Sequence, residues 1–482
     1  MKNRNWVLLA GICLILLAES AALISTRWVE DDSWYSSKGW TLATEGRIRM
    51  SVFPFDTEYI VNVVTTLHSM TLGAVFKLFG LGIAQARLTS ALFAIALVIV
   101  VYLLASDIAG PKCGLIAALL TATDSILLVA ARTARPEAET AFLCWLALLL
   151  FARAIARHSP PLALCGGIVC GLGLICHPMG FPFFVVMMLY CGAQYRWKAW
   201  KEPVLWATLG GVALVLVPYL AWCFSDQAHI SSFRGGYLNR IPQPLRDRIA
   251  GELMRWSDFI GISNQRVPLL PHLPLRLHVA VILIVAIAFF ARRDRRYGLA
   301  ALTLLVVTLG WLVFMITKTP RYLSILTPLF AIALAYFAVA SGSGWLGKAA
   351  GAALALVLFT NIAGNAFWLY RYRHADYAEV SSQLRQVVPQ GSSVYGVITF
   401  WMALHDRTYY AFERTDFDRA VAELRPQYII MYDRVMVHGS GYGDDWAPLR
   451  EKLTDFVHRR GTLAGRVANE FYGDLEIYRV AY

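Results

Sequence analysis

The sequence has little charge for its length: 16% of its 482 residues are Asp, Glu, Lys or Arg, and 57% are hydrophobic. A soluble domain carries about 25% charged and about 45–50% apolar residues, so this composition disfavours a soluble multidomain enzyme and excludes a disordered chain or a coiled coil. The sequence also lacks a Walker A loop, a GxGxxG at a strand–helix junction, a GxSxG and an HExxH motif. Nucleotide-driven transport and serine hydrolysis are therefore not supported.

The eight cysteines lack the spacing of a metal site or a redox pair. No CxxC occurs, and every cysteine lies in or at the edge of an apolar run. Free cysteine packs as a small hydrophobic residue in such surroundings. The sequence therefore predicts no metal site and no disulfide, and it contains no cofactor motif.

Long apolar runs take up much of the chain. The first covers residues 1–24 and is followed by large and charged residues, so we interpret it as a retained transmembrane helix and not as a cleaved signal. Together the runs predict an α-helical polytopic membrane protein with about eleven spans. The ten further predicted spans cover roughly 88–106, 113–131, 138–156, 161–176, 179–193, 203–224, 276–291, 297–316, 322–340 and 346–369.

The segment 59–80 decides on which side of the membrane every later loop lies. It is only moderately apolar and contains Asn62, His68 and Lys77. If it lies along the membrane surface, the cytoplasmic ends and short loops hold thirteen Lys and Arg, and the short outer loops hold four. That distribution obeys the positive-inside rule, so the sequence predicts an interfacial helix in the first outer loop. Most of the net charge of +12 then reflects the orientation of the chain in the membrane and does not indicate nucleic-acid binding.

Three polar regions are predicted on the outer face: the loops 25–87 and 225–275, and a tail from residue 371. We expect a transmembrane domain over 1–370 and a soluble periplasmic α/β domain over 371–482. The segment 244–260 has the pattern of an amphipathic surface helix. In the tail, strand-like runs occur at 393–400, 427–432 and 475–482, and helical patterns at 376–388, 416–425 and 446–459.

Two adjacent acids, Asp31 and Asp32, follow the first span after seven residues and precede Tyr35. They are candidates for acid–base chemistry just outside the membrane. The alternative is a solvated loop in which Asp32 or Ser33 caps the next helix.

A second acidic site, Arg135-Pro136-Glu137, opens the fourth predicted span. The charge rule places it on the same side of the membrane as Asp31. The plainer alternative is an ordinary helix N-terminus, because Pro136 suits a first helical position and Glu137 complements the helix dipole.

Two further outer turns carry polar residues. Lys318 and Arg321 lie in a short predicted outer loop, where the positive-inside rule expects few cations. They are candidates either for an anion clamp or for an interfacial anchor. His177 precedes Pro178 in another turn, where helix breaking is the plainer account. Asp124 and Glu19 lie within predicted spans, and the sequence assigns neither a role.

These features together resemble the C-type glycosyltransferase superfamily, specifically its protein-mannosyltransferase and aminoarabinose-transferase-like branch. The resemblance covers about residues 1–370. The features that carry it are Asp31-Asp32 with Tyr35 and Gly46, the segment 76–90 (FKLFGLGIAQARLTS), Arg135-Pro136-Glu137, and Pro320-Arg321-Tyr322 with Pro328.

The resemblance implies a catalytic carboxylate at Asp31, with Asp32 as the second member of the pair, and a further site acid at Glu137. It also implies a donor in which the sugar is attached to a polyprenyl phosphate, and inversion at the anomeric carbon. Two features depart from the family pattern. The acid pair is Asp-Asp where the family often has Asp-Glu, and Thr57-Glu58 stands where aminoarabinose transferases have Lys-Pro before the interfacial helix.

The chemistry agrees with this expectation. Asp31 can act as general base on an acceptor hydroxyl, and the leaving lipid phosphate needs cations such as Arg321 and Lys318 more than it needs a strong acid. Tyr35, Arg135 and His177 are further candidates for substrate binding. The acceptor is a lipid, glycan or protein hydroxyl, and the expected location is a bacterial inner membrane with the site facing outward.

The main alternative is a secondary transporter or a lipid flippase. Such a protein would show paired interrupted helices in two related halves, with polar sites at mid-membrane. Here the candidate polar residues gather at one predicted face. A membrane-anchored binding or scaffold protein is a third possibility, but it does not require four polar turns on one side.

Overall fold

The computed structural model describes residues 2–56, 63–235, 244–260, 276–314, 320–432 and 447–482. The protein is mostly helical and carries one small sheet near its C-terminus. The apolar helices correspond to the predicted spans. They are Lys2–Ala21, Ile83–Ala122, Glu137–Arg157, Pro160–Cys176, Phe181–Tyr195, Pro203–Cys223, Arg276–Arg293, Arg295–Phe314, Thr327–Ala340 and Trp345–Arg371.

Five of the described helices are long and apolar enough to cross a membrane. These contain the windows Arg4–Ala21, Ile83–Ala122, Glu137–Arg157, Pro203–Cys223 and Trp345–Arg371. Three shorter helices among the described residues, Pro160–Cys176, Tyr297–Val313 and Thr327–Ala340, are also apolar. The membrane character is thus evident in the fold, and the count of eleven spans stays a prediction.

The second and third predicted spans meet at a break. Ala109 and Gly110 leave helical geometry, Gly110 has φ +83°, and Pro111 follows with no N–H to donate. The third predicted span then divides again at Asp124, whose Oδ1 accepts hydrogen bonds from the N–H groups of Ile126 (2.9 Å) and Leu127 (3.0 Å). Asp124, to which the sequence assigned no role, therefore caps the helix Ser125–Ala131.

The segment predicted as an interfacial helix forms the helix Thr66–Phe79, and residues 57–62 lie outside the described part. Its 14 residues fall short of the ~20 that a membrane-spanning helix needs. It packs closely on the helix Glu30–Glu45, because a Cβ on Gly39 would lie 2.7 Å from Leu72 Cβ. The glycine at position 39 therefore permits the close approach of the two outer-loop helices.

The tail folds as an α/β unit with five strands. The strands are β1 (Ser393–Gly396), β2 (Thr408–Ala411), β3 (Tyr428–Tyr432), β4 (Gly461–Asn469) and β5 (Gly473–Val480). Their order in the sheet is β2-β1-β3-β5-β4; β1 is parallel to β2 and β3, whereas β5 is antiparallel to β3 and β4. The helices Tyr377–Val387 and Ala447–Arg460 match two of the predicted helical patterns.

Parts of the tail differ from the sequence-based expectation. The predicted strand 393–400 ends at Gly396, and Ile398–Phe400 form a 3₁₀ turn instead. The predicted helix 416–425 consists of two short helical pieces, Phe417–Arg419 and Ala420–Leu424. The strands β2 and β4 were not predicted, because β2 has only four residues and β4 (GTLAGRVAN) lacks regular apolar–polar alternation. The predicted surface helix 244–260 is present as Leu245–Ile260.

The predicted first outer loop, residues 25–87, and the tail share one hydrophobic core. Trp28 and Phe53 of the loop pack with tail residues such as Tyr377, and each of the three is less than 2% exposed. Hydrogen bonds join the same parts: Ser33 Oγ donates to the carbonyl of Thr399 (3.1 Å), and Tyr472 Oη donates to that of Trp28 (2.9 Å). The tail therefore fixes the position of the helix that carries Asp31 and Asp32.

Candidate active site

The two adjacent acids point in different directions from the first turn of the helix Glu30–Glu45. The carboxylate of Asp32 is fully buried and accepts from the N–H of Val29 (3.1 Å), the N–H of Ala134 (2.6 Å) and Arg87 Nη2 (3.1 Å). As the third residue of the helix, Asp32 therefore binds back to the N–H of the N-cap residue Val29 and joins the helix to two other segments. Asp32 thus stabilises the helix start from the third position and is not the cap of a solvated loop, which indicates a structural use for it.

Asp31 remains accessible. Its side chain is 29% exposed, and its Oδ2 pairs with Arg135 and lies 3.4 Å from Arg321 Nη1. Consecutive helical residues are separated by a rotation of about 100°, so burial of Asp32 directs its neighbour elsewhere. The accessible acid of the pair is thus Asp31.

Arg135 lies between two carboxylates. Its guanidinium pairs with Asp31, and its Nη2 and Nε lie 2.5 Å and 2.8 Å from Glu137 Oε1. Burial by itself lowers the pKa of Arg135, but the charges of Asp31 and Glu137 outweigh it and raise that pKa well above its usual value. Because both sides of the guanidinium are occupied, Arg135 is better suited to position the acids than to hold a phosphate.

Glu137 has one unused acceptor. Both of its hydrogen bonds from Arg135 go to Oε1, whereas Oε2 is buried and has no hydrogen-bond partner among the described residues. An unpaired buried acceptor is costly, so this oxygen marks a place where a ligand group can donate.

Two of the other predicted binding residues, Tyr35 and His177, lie near this acid–arginine group. Arg135 lies over the ring of Tyr35, 5.5 Å from its centroid, and the ring of His177 packs against Tyr322 at 5.4 Å. His177 Nδ1 also accepts from the N–H of Met179 (3.2 Å), which agrees with its plainer role at a helix end. Lys318 lies outside the described residues.

Sequence reasoning missed Arg87, which organises the first outer loop. Its Nη1 donates to the carbonyls of Ile24 (2.7 Å) and Thr26 (2.6 Å), and its Nη2 donates to that of Arg27 (2.9 Å) and to Asp32. The available signal was its place in the segment 76–90. Its function stayed hidden because its partners are mostly backbone carbonyls.

A second missed contact attaches the outer-loop helix Thr66–Phe79 to the helix Glu137–Arg157. His68 Nδ1 lies 2.8 Å from Glu139 Oε2, and Thr71 Oγ1 donates to Glu139 Oε1 (2.8 Å). Glu139 is therefore used in packing, whereas Glu137, two residues earlier, faces Arg135.

Two buried carboxyl groups, Glu30 beside the acid pair and Glu413 of the tail, lie close enough for their charges to act on each other. Burial, followed by the charge of Asp31, raises the pKa of Glu30 to about 7. Burial and the charge of Glu30 together raise the pKa of Glu413 well above its usual value.

No group of three or more His, Cys, Asp or Glu among the described residues is arranged to hold a metal ion.

Comparisons with known proteins agree with this architecture. Residues 65–222 match the family model of dolichyl-phosphate-mannose-protein mannosyltransferase. The fold resembles ArnT from Cupriavidus metallidurans in the apo state, with a TM-score of 0.66 and 15% identity over 100% of this chain and 99% of ArnT. For ArnT bound to undecaprenyl phosphate, the TM-score is 0.61 at 16% identity, covering 98% of each chain.

A more distant likeness is to the apo form of the oligosaccharyltransferase from Archaeoglobus fulgidus. Its TM-score is 0.58 at 12% identity, covering 90% of this chain and 70% of that one. No curated protein sequence matches the chain. At these identities the structural likenesses establish the fold, and the family match extends over the region that includes Arg87, Arg135 and Glu137. The resemblance to the C-type glycosyltransferases, in their protein-mannosyltransferase and aminoarabinose-transferase-like branch, is therefore confirmed, and the enzyme class that it supports is a membrane glycosyltransferase.

Proposed function

We propose that this protein transfers a sugar from a polyprenyl phosphate to a hydroxyl group of a lipid, glycan or protein, with inversion at the anomeric carbon. The observation that carries the proposal is the accessible carboxylate of Asp31 held between Arg135 and Arg321. A carboxylate and guanidinium groups are the two components that displacement of a lipid phosphate requires.

In the proposed reaction, Asp31 accepts the proton of the acceptor hydroxyl while that oxygen attacks the anomeric carbon. The bond between this carbon and the phosphate oxygen breaks, and its electron pair stays on the phosphate. Arg321 stabilises the charge that develops there, and Lys318 is the second proposed cation. Asp31 then releases its proton to water. One base and cations are enough, because the leaving phosphate is a weak base, unlike the leaving group of a glycoside hydrolase.

The remaining site residues are proposed to position the substrates. Arg135 holds Asp31 and Glu137 in fixed geometry. The unused Oε2 of Glu137 accepts a hydrogen bond from a hydroxyl or amino group of the acceptor or the sugar. Tyr35, whose ring lies under Arg135, and His177, which packs against Tyr322, are proposed to contact the bound substrates. Asp32 accepts a hydrogen bond from the N–H of Ala134 and so fixes the helix Glu30–Glu45, which carries Asp31.

Two solved relatives support the choice of donor and acceptor classes. ArnT has been crystallised with undecaprenyl phosphate. The Archaeoglobus fulgidus oligosaccharyltransferase has been solved with a tethered acceptor peptide and also with an inhibitory peptide and dolichol phosphate. A prenyl-linked phosphate is therefore the ligand class that we propose for this site.

The proposal is tested by mass spectrometry of cell-envelope lipids and glycans from cells with and without the protein. We expect one glycosylated species to disappear in the deletion strain while its unmodified acceptor and the polyprenyl-phosphate sugar accumulate. Unchanged envelope glycosylation together with altered distribution of a lipid between leaflets would instead identify the flippase alternative.

We further propose that the site and the domain 371–482 face the outside of a bacterial inner membrane, with the transmembrane domain over 1–370. The support is the excess of cations on the predicted cytoplasmic loops and the shared core of the tail and the first outer loop. A reporter enzyme that is active only outside the cytoplasm, fused after Tyr482, is expected to be active. Activity of a cytoplasm-specific reporter at the same position would show that the tail and the site face the cytoplasm, contrary to the proposal.

A further inference from the structure

Two apolar helices, Phe181–Tyr195 and Arg295–Phe314, touch near one end and enclose a cleft near the other. Phe181, at the start of the first helix, packs on Trp311, near the end of the second, with 4.7 Å between the ring centroids. Toward the opposite ends, the cleft between the helices has a volume of about 360 Å³. The residues that line it include Leu189 and Gln194 of the first helix and Leu299 and Thr303 of the second.

The cleft opens outward and also continues into the helical bundle. Leu189 and Leu299, at its rim, are each more than half exposed, so the opening is apolar. Val186, Tyr190 and Ala300 line both the cleft and an inner, mostly apolar chamber of about 90 Å³. An apolar cavity of about 150 Å³ already binds benzene, so the space between these helices is large enough for a segment of hydrocarbon chain.

The first helix runs directly into a short segment, Arg196–Lys201 (RWKAWK), that combines aromatic and basic residues. Trp197 is 92% exposed, and Trp200 is held at the start of the next helix by a hydrogen bond from Trp206 Nε1 to its carbonyl (2.7 Å). Exposed tryptophans beside lysine and arginine are typical of the level of lipid headgroups. The open end of the cleft is therefore next to a membrane surface. The exposed cations of this segment are Arg196, Lys198 and Lys201.

Further cations lie on the other side of the open end. Arg292 and Arg293 are exposed just before the second helix. Ala291, the residue before them, lies close to Gly298, where an added Cβ would be 2.4 Å from the Cα of Ala291. Because Gly298 is next to Leu299 of the rim, these two arginines are near the cleft as well.

Positive charge exceeds negative charge at this end of the two helices. The segments 194–203 and 291–297 contain seven Lys and Arg but only two acids. The five exposed cations form no ion pair within the part of the chain that the structure describes. Asp107, on a neighbouring helix, is already paired with Arg153, whose Nε lies 2.7 Å from its Oδ2. An apolar cleft bordered by unpaired cations is complementary to a lipid with a negative headgroup. The two acids of the segments are Glu202 and Asp294.

The open end of the cleft is remote from the candidate active site. His177, which lies near that site, precedes the helix Phe181–Tyr195, whereas the cations follow the same helix. Its 15 residues extend over about 22 Å at 1.5 Å per residue. A headgroup bound beside Arg196 is thus too far from Asp31 to be the phosphate of the sugar donor.

We propose that this cleft binds one anionic phospholipid from the membrane leaflet opposite the candidate active site. One acyl chain lies between the two helices and reaches the inner chamber, and the headgroup phosphate lies against Arg196 and Lys198, with Arg292 and Arg293 on its other side. The site goes beyond the proposed function, because this lipid is a bound component of the protein and not a substrate of the sugar transfer.

The experiment measures binding of phosphatidylglycerol, and of phosphatidylcholine with the same acyl chains, to the full-length protein in detergent by native mass spectrometry. We expect the wild type to bind one phosphatidylglycerol saturably and in preference to phosphatidylcholine. The double variant Arg196→Gln/Lys198→Gln is expected to bind phosphatidylglycerol about 10- to 30-fold more weakly, because each cation near a lipid surface contributes about fivefold. Its matched control is Arg4→Gln/Lys348→Gln, which removes two exposed cations from helices that do not line the cleft and should leave binding unchanged.

A second variant tests the apolar part of the site. Ala300→Phe places a ring where the cleft meets the inner chamber, and it is expected to weaken binding of both lipids by about 10-fold, the effect of displacing about two methylene groups. Its thermal midpoint without added lipid shows whether the fold is retained. Asp31→Asn should bind phosphatidylglycerol as the wild type does, so failure of this site and failure of the proposed function are distinguishable.

Several results would overturn the lipid site. Equal affinity of the wild type for the two phospholipids would exclude recognition of the headgroup, and so would unchanged phosphatidylglycerol binding by Arg196→Gln/Lys198→Gln. Binding that rises without saturation would identify ordinary surrounding lipid. Displacement of phosphatidylglycerol by uncharged undecaprenol would assign the cleft to a prenyl chain instead of an acyl chain.

Discussion

Replacing Asp31 by Asn is expected to reduce sugar transfer by about 10²- to 10⁴-fold while the amount of folded protein stays the same. The amide has the shape of the carboxylate but cannot accept a proton, and general-base catalysis contributes about this factor. The side chain is partly exposed, and the buried Arg135 keeps its ion pair with Glu137 when Asp31 loses its charge, so we expect the fold to tolerate the change. The measurement is the rate at which purified protein in detergent releases polyprenyl phosphate and forms glycosylated acceptor.

Two controls accompany this variant. Asp31→Glu keeps a base in a slightly displaced position and is expected to recover part of the activity. Asp455→Asn removes an exposed carboxylate that pairs with Arg459, and it is expected to leave transfer unchanged. Full activity of Asp31→Asn would show that another group removes the proton.

Replacing Asp32 by Ala is expected to destabilise the protein by about 3–5 kcal/mol, the usual cost of leaving one member of a buried ion pair unpaired. The carboxylate is 0% exposed, and its loss leaves Arg87 without its only carboxylate in the described structure and the N–H of Ala134 without an acceptor. Because a domain is typically stable by about 5–15 kcal/mol, we expect a clear fall in thermal midpoint and in yield of folded protein.

The comparison with Asp32→Asn makes this prediction specific. Asn retains an oxygen for the N–H of Ala134 and is expected to lose less stability than Ala. If Asp32→Ala instead unfolds at the wild-type temperature and is inactive, then Asp32 takes part in catalysis. The assignment of a structural role to Asp32 and of the catalytic role to Asp31 alone would then be wrong.

Much of the helical architecture could be predicted because a membrane protein leaves a strong pattern in its sequence. Backbone groups in a bilayer must be satisfied within helices, so each span appears as a long apolar run. The observed helices Glu137–Arg157 and Pro203–Cys223 lie within a residue of the predicted spans 138–156 and 203–224. The short strands β2 and β4 of the tail had no comparable signal, because strand formation there depends on pairing with neighbours distant in sequence.

The residues of the site were only partly recognisable in advance. The sequence identified these candidates: Asp31, Arg135, Glu137 and Arg321. The fold pairs Asp31 with both arginines and Glu137 with Arg135. Sequence reasoning gave no reason to select Arg87, which looks like one more cation at the start of a span. Its role depends on its contacts with backbone carbonyls and with Asp32, which come from a segment distant in sequence.

The sequence by itself determined that this is a polytopic membrane protein with a folded tail and with acids and arginines in its predicted outer turns, because hydropathy and charge act locally along the chain. Only the tertiary structure decided which of two adjacent aspartates is accessible. Asp32 is buried by contacts with Arg87 and Ala134, and the helical rotation then leaves Asp31 facing Arg135 and Arg321. Such partners come from segments 55 to 290 residues away in sequence, so no local pattern could have shown them.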